Sequence, residues 1–130
     1  MIEVVEVKNR KQYREFFRFP FALYQNCKQW VPPITKEEEA VFDPKKNKVF
    51  NHAMARLFLA TKNGQTVGRV AAMINWVEVE ELKKTKVRFG WYDTIDDIEV
   101  SKKLIEAVQG VAIAEGMTYI EGPMGFSNMD

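Results

Sequence analysis

The sequence predicts a mixed α+β domain that combines an antiparallel meander with one parallel strand-helix-strand unit. Two apolar runs, MARLFLAT and TVGRVAAMINW, flank Asn63-Gly64, a dipeptide typical of β-hairpins. Further on, the apolar VRFGWYD precedes an amphipathic helix and the short strand in TYIEGPMGF, an order that requires a parallel crossover. With 130 residues, 46% of them hydrophobic, the chain fits a single domain, 1–130, with one core.

The segments before the hairpin predict a strand followed by helices. Residues 2–7, IEVVEV, alternate apolar and acidic side chains, as in a strand with one buried face. Aromatic residues at helical spacing predict a helix over Arg10–Arg18. Pro20 lacks an N–H group and disfavours helix in the preceding residue, so it predicts a break near Phe19 and a second short helix through FALYQN. One or two helical turns are expected in KEEEAVFD, between the irregular WVPPI and DPKKN.

The segments after the hairpin predict the parallel unit. The charged VEVEELKKTK is a connection, partly helical, that leads to a strand over residues 87–93. From Ile98 onward, apolar residues recur at helical spacing until Gly116 ends the helix. This apolar stripe has to lie on the sheet, and a last strand follows before Gly122.

Composition excludes several classes of function. Nineteen basic against eighteen acidic residues leave a net charge of +1, which predicts neither nucleic acid nor a membrane as partner. The apolar runs are shorter than the roughly 20 residues of a membrane-spanning helix. A single Cys and a single His leave almost nothing from which to build a metal site or a Cys-His pair. The sequence therefore predicts a cytoplasmic protein without a bound metal.

The order of elements, with the motifs VPPI, FDPKKN, RFGWYD and GPMGF, resembles the first two-thirds of the GNAT superfamily of acyl-CoA-dependent N-acyltransferases. The motifs are similar to those of an uncharacterised, longer bacterial GNAT-like group. In GNAT proteins the sheet continues past the fifth strand. The resemblance therefore implies that 1–130 is a front portion, truncated after that strand. The exposed edge is then expected to pair with a second copy or with the missing C-terminal region.

The resemblance also locates the coenzyme loop. In GNAT proteins an Arg or Gln followed by glycines lies after the fourth strand and binds the pyrophosphate of acetyl-CoA. The corresponding residues here, 93–100, include no glycine and no basic residue. Asp96, with Glu99 three positions on, has the spacing of a capping box, so carboxylates are expected to take the free N–H groups of the helix and repel a diphosphate. The candidates for coenzyme contact are Ile95, Asp96, Asp97 and Ile98.

Two functions remain open at this point. The first is a scaffold or interaction domain that binds no cofactor. The alternative is an N-acyltransferase that uses acetyl-CoA or another acyl-CoA through an altered loop, with Tyr92 and Asp93 as candidate catalytic residues near the acceptor amine. Alternation along the strand predicts that Trp91 and Asp93 point to one face of the sheet and Tyr92 to the other.

Overall fold

The computed structural model describes residues 1–123, which form a five-stranded sheet with helices on both faces. The strands are β1 (Ile2–Glu6), β2 (Ala53–Lys62), β3 (Gln65–Asn75), β4 (Lys86–Thr94) and β5 (Tyr119–Glu121). They lie in chain order across the sheet. Strands β1 to β4 form an antiparallel meander, and β5 pairs parallel to β4. The predicted class and the parallel unit are confirmed.

Four α-helices and a short 3₁₀-helix connect these strands within residues 1–123. The helices are α1 (Arg10–Leu23), α2 (Thr35–Val41), α3 (Trp76–Glu80) and α4 (Ile98–Ala114), with the 3₁₀ turn at Lys48–Asn51. None of them is both long and apolar enough to span a bilayer. The hairpin joins β2 to β3 through Asn63 and Gly64, whose φ angles of 54° and 78° lie in the left-handed region, as a two-residue hairpin turn requires.

Helix α4 covers one face of the sheet with apolar side chains. Val100, Leu104 and Val108 are completely buried and pack against β3 residues such as Val70. The approach is close, because a Cβ atom added to Gly68 would lie 2.8 Å from Cδ1 of Leu104. The predicted apolar stripe of this helix therefore lies on the sheet.

Helix α1 and Phe42, the residue that follows α2, cover the opposite face with aromatic side chains. Phe16, Phe17 and Phe42 are buried and pack against the sheet residues Leu57 and Met73. The rings of Phe16 and Phe17 meet edge to face, with centroids 5.1 Å apart, a favourable aromatic geometry. Phe16 and Phe17 of α1 are thus part of the core.

The predicted break near Phe19 is wrong, because α1 continues through Pro20 to Leu23. A proline inside a helix leaves the carbonyl four residues earlier without its N–H donor, and here that carbonyl belongs to Phe16. The guanidinium of Arg69, on β3, donates to the Phe16 carbonyl oxygen at 2.9 Å. A tertiary hydrogen bond therefore replaces the main-chain bond that Pro20 removes.

Beyond β5, Gly122 lies against β4. A Cβ atom there would come within 2.3 Å of the carbonyl oxygen of Phe89, so only glycine fits without a shift of the backbone. Part of the motif GPMGF, from residue 124 onward, lies outside the described residues.

Candidate functional site at the end of strand β4

Strand β4 carries a bulge near its C-terminal end. Arg69 of β3 pairs with Asp93 and Ala71 with Gly90, so Trp91 and Tyr92 together oppose one residue of β3. Trp91 has a φ of 46°, a left-handed conformation that is uncommon for a bulky residue and marks a constrained position. The bulge increases the local twist and fixes where the last side chains of β4 point.

The side chains of β4 divide between the two faces as the alternation predicted. Trp91 packs in the aromatic core with Phe42, at a ring centroid distance of 4.7 Å, and its indole N–H donates to Oε2 of Glu38 at 2.8 Å. Tyr92 packs in the α4 core, and its hydroxyl is hydrogen-bonded to that of Ser101. The two catalytic candidates, Tyr92 and Asp93, are therefore adjacent in sequence but point to opposite faces of the sheet.

Asp93 lies in a polar network beneath α1. The hydroxyl of Tyr24 donates to Oδ1 at 2.6 Å, and Nε and Nη2 of Arg69 approach Oδ2 at 2.9 and 2.8 Å. Both carboxylate oxygens are thus engaged by donors from the protein. In this geometry Asp93 holds the end of α1 on the sheet, and its role near an acceptor amine stays a prediction.

Arg69 is the centre of this network and was missed from the sequence. It is 5% exposed and lies over the ring of Phe16, 5.0 Å from the centroid. Burial lowers the pKa of Arg69 below its ordinary value, and the charge of Asp93 opposes that shift. The hydrogen bond to Asp93 is the main cause that raises the pKa of Tyr24 to about 12. The signal available in the sequence was Pro20, which leaves the Phe16 carbonyl in need of a donor.

The opposite end of β4 carries a second group of buried charges. Arg88, 1% exposed, donates through Nε to Oε1 of Glu78 at 2.8 Å, and its Nη2 contacts Oε2. Lys86 pairs with Glu121 of β5 at 2.6 Å. The hydrogen bond from Arg88 is the main cause that holds the pKa of Glu78 below its usual value. These ion pairs attach α3 and β5 to the start of β4.

The joint between β4 and α4 contains the four candidates for coenzyme contact. The predicted capping box of Asp96 and Glu99 is wrong, because the N-cap is Asp97, whose Oδ1 accepts from the N–H of Glu99 at 2.9 Å. The helix begins one residue later than a cap at Asp96 requires. The residue three positions after Asp97 is then Val100, which has no polar side chain to complete a box.

The residues of this joint do not fit a diphosphate well. Asp97 occupies the N–H of Glu99, and Lys62 lies 3.9 Å from its second carboxylate oxygen. Asp96 is exposed beside it, and the side chain of Ile98 is 83% exposed. Ile95 is half-buried, and its N–H donates to the carbonyl of Val67 at 3.0 Å. The charge that faces a ligand here is negative, which opposes an anion.

Beside the bulge, one edge of β4 is open. The pairing with β5 covers Lys86–Arg88. Within residues 1–123, no strand pairs with residues 90–94 on that side. The main-chain groups along this part of β4 are thus placed to bond an extended ligand or another strand.

Comparison with solved structures defines the fold class. The chain superposes with a TM-score of 0.70 on a tandem GNAT protein from the clavulanic acid biosynthesis pathway, at 11% identity over 92% of this chain and 35% of that one. It superposes with a TM-score of 0.65 on a "predicted acetyltransferase with acetyl-CoA" from Clostridium acetobutylicum, at 14% identity over 96% of this chain and 82% of that one. For AAC(6')-Iy in complex with a CoA bisubstrate analogue the TM-score is 0.63, at 13% identity over 99% of this chain and 83% of that one. The chain has the GNAT acetyltransferase fold.

Sequence comparison adds two curated relatives. The chain is 31% identical over 127 residues to the bacterial ceramide synthase of Caulobacter vibrioides, an alignment that covers 97% of the chain and 33% of that protein. It is 31% identical over 119 residues to the protein YghO of Escherichia coli, covering 92% of the chain and 30% of that protein. No family model matches. The chain therefore spans about a third of the length of these two relatives.

Proposed function

We propose that this chain is the front GNAT-like unit of a longer N-acyltransferase that forms amides of long-chain amines, and that the unit acts as scaffold rather than as coenzyme holder. The observation that carries the proposal is the 31% identity to a bacterial ceramide synthase over 97% of the chain, on a GNAT fold. A ceramide is the amide of a fatty acid with a long-chain amino alcohol. N-acylation thus agrees with both the fold and the relative.

The chemistry sets what the complete protein needs. The amine nitrogen attacks the carbonyl carbon of an acyl thioester, the new C–N bond forms, the C–S bond breaks, and the nitrogen loses a proton while the thiolate gains one. A proton acceptor with a free lone pair is therefore required. Asp93 is engaged by Tyr24 and Arg69. Its engagement supports a proton acceptor from outside this unit.

The acidic joint supports the scaffold role. Diphosphate sites at a helix start depend on free N–H groups and on the absence of nearby carboxylates. Asp96, Asp97 and Glu99 provide the opposite environment.

The superposition on about a third of a tandem GNAT protein offers a precedent for a chain with a second unit of this fold. We propose that the coenzyme diphosphate is bound by such a unit, and that the open edge of β4 and β5 is completed by a region that follows or by a second copy.

The reaction class is tested with the complete natural protein that contains this chain. It is incubated with palmitoyl-CoA and sphinganine, and the amide product is measured by mass spectrometry, with and without enzyme. Formation of N-palmitoyl-sphinganine is expected. If thioester is consumed without amide from any long-chain amine, the proposal is wrong.

The scaffold role is tested on the chain alone by thermal denaturation with acetyl-CoA or palmitoyl-CoA. No rise in the midpoint is expected, whereas a ligand at 100 times its dissociation constant would stabilise the fold by about 2.7 kcal/mol. Pantetheine, which lacks the diphosphate, serves as the matched ligand. A rise with acetyl-CoA but not with pantetheine would mean that the chain binds the phosphate-bearing part of the coenzyme, and the alternative of direct coenzyme binding would replace the scaffold.

A further inference from the structure

Helix α1 presents a stripe of arginines on its exposed side. Arg10, Arg14 and Arg18 follow one another at four-residue spacing, so they lie on one face of the helix and span about 12 Å along its axis. Phe21 comes three residues later on the same face and is 36% exposed. The stripe therefore runs from cationic to aromatic along a single helix face.

The arginines border an open groove of about 970 Å³ between α1 and the α2 region. Six cations line it against two carboxylates, Glu39 and Asp43; the cations are Lys8, Arg10, Arg14, Arg18, Lys36 and Lys46. Within the described part of the chain, none of these six lies within 4.0 Å of a carboxylate oxygen. The lining of this groove thus carries a net positive charge, although the net charge of the whole chain is only +1.

An apolar tip adjoins the aromatic end of the stripe, at Phe21. The loop between α1 and α2 exposes Val31 (83%) and Ile34 (62%) on either side of two prolines. Behind it, the ring of Trp30 packs edge to face on Phe21 and stacks on Tyr24, with centroids 5.2 and 5.3 Å apart. Two exposed aliphatic side chains thus lie on a proline-containing loop that Trp30 anchors to the Phe21 end of the arginine stripe.

We propose that this basic surface, defined by the six cations of the groove and the tip residues Val31 and Ile34, docks the protein on an anionic phospholipid bilayer. The cations fit lipid phosphates, the aliphatic tip fits the boundary between headgroups and acyl chains, and tryptophan and tyrosine favour that interface. Nucleic acid fits less well, because the tip is aliphatic and the aromatic rings already stack on one another. The inference is independent of the acyl-transfer proposal.

The near-neutral net charge predicted no membrane contact because it averages over the whole chain. Electrostatic attraction to a bilayer acts within about a Debye length, roughly 8 Å at physiological salt. Among the residues that line the groove, the six cations outnumber Glu39 and Asp43. Local charge therefore decides the contact.

The test is co-sedimentation of the 130-residue chain with vesicles. Binding is expected to phosphatidylcholine vesicles that contain 30% phosphatidylglycerol, with little binding to pure phosphatidylcholine and a marked loss at 0.5 M salt. The variant Arg14→Gln/Arg18→Gln is expected to bind about thirtyfold more weakly, from two basic residues near the surface. The matched control, Lys102→Gln/Lys103→Gln on α4, removes the same charge from the other face of the sheet and is expected to change binding less than twofold.

A second variant examines the tip without altering the cations. Val31→Ser/Ile34→Ser is expected to weaken binding to the anionic vesicles at least fivefold. Circular dichroism and thermal melting check that each variant folds. Little loss of stability is expected for the arginine and tip variants, because Arg14, Arg18, Val31 and Ile34 are exposed. Equal binding to neutral vesicles, full binding by the arginine variant, or tight binding of a single-stranded oligonucleotide without vesicle binding would overturn the proposal.

Discussion

The two faces of the sheet are built from different interactions. On the α4 face, Leu104 and Val108 pack against Val70 without buried charge between them. On the α1–α2 face, Arg69 and Asp93 form a buried ion pair within an aromatic core. The apolar contacts are non-directional and tolerate small shifts, whereas the ion pair and its hydrogen bonds require one arrangement. The first face thus supplies cohesion, and the second fixes where α1 and its loop lie.

The largest effect is expected from breaking the polar network. Asp93→Ala leaves the buried guanidinium of Arg69 without its carboxylate, and removal of one partner from a buried pair costs about 3–5 kcal/mol. The free energy of unfolding, measured with urea, is expected to fall by that amount. A loss below about 1 kcal/mol would mean that the network has no structural role.

The double variant Arg69→Met/Asp93→Leu sharpens this prediction. It removes both charges but leaves the Phe16 carbonyl unpaired, so a loss of about 1–3 kcal/mol is expected, smaller than for Asp93→Ala. Adding Pro20→Ala restores the main-chain N–H to that carbonyl and is expected to recover part of the stability. If Pro20→Ala changes the free energy of unfolding equally when Arg69 is present, the hydrogen bond from Arg69 to the Phe16 carbonyl is not the reason that α1 continues through Pro20.

The second effect concerns the apolar face. Leu104→Ala is expected to cost about 2–5 kcal/mol through lost burial and a cavity. Gly68→Ala places a methyl group 2.8 Å from Cδ1 of Leu104 and is expected to cost about 1–3 kcal/mol by overpacking. In the Leu104→Ala background the closest contact of the added methyl group is removed, while Cγ1 of Val100 at 3.0 Å and Oγ1 of Thr94 at 3.3 Å remain, so its cost is expected to fall without vanishing. If the stability losses of Gly68→Ala and Leu104→Ala simply add in urea denaturation, the two residues are not in the close contact described.

The smallest effect is expected at alkaline pH. The pKa of Tyr24 is raised from 10.0 to about 12, chiefly by its hydrogen bond to Asp93. The folded state holds this proton more tightly than the unfolded state, so the contribution to stability is complete below about pH 10 and is lost as the pH rises toward 12. In an ultraviolet phenolate titration, Asp93→Asn is expected to lower the pKa of Tyr24. An unchanged titration curve would mean that the hydrogen bond to Asp93 does not raise the pKa of Tyr24.

Much of the fold could be predicted from local pattern. Asn63-Gly64 predicted the hairpin because few residues adopt two left-handed conformations in succession, and the spacing of Leu104 and Val108 predicted the face that α4 buries. The break near Phe19 was wrong, because no local rule places a guanidinium on the Phe16 carbonyl. The cap of α4 was misplaced by one residue, since adjacent aspartates give the same local signal.

The sequence by itself determined the order of elements, the parallel unit and the absence of a glycine-rich basic joint after β4, because these depend on periodicity and on residue types within short segments. Tertiary structure alone decided that Asp93 is held by Arg69 and Tyr24, and that six cations gather in one groove. The physical reason is distance along the chain. Ion pairs and charged surfaces form between residues that only the fold brings together, and their energies fall steeply with separation in space.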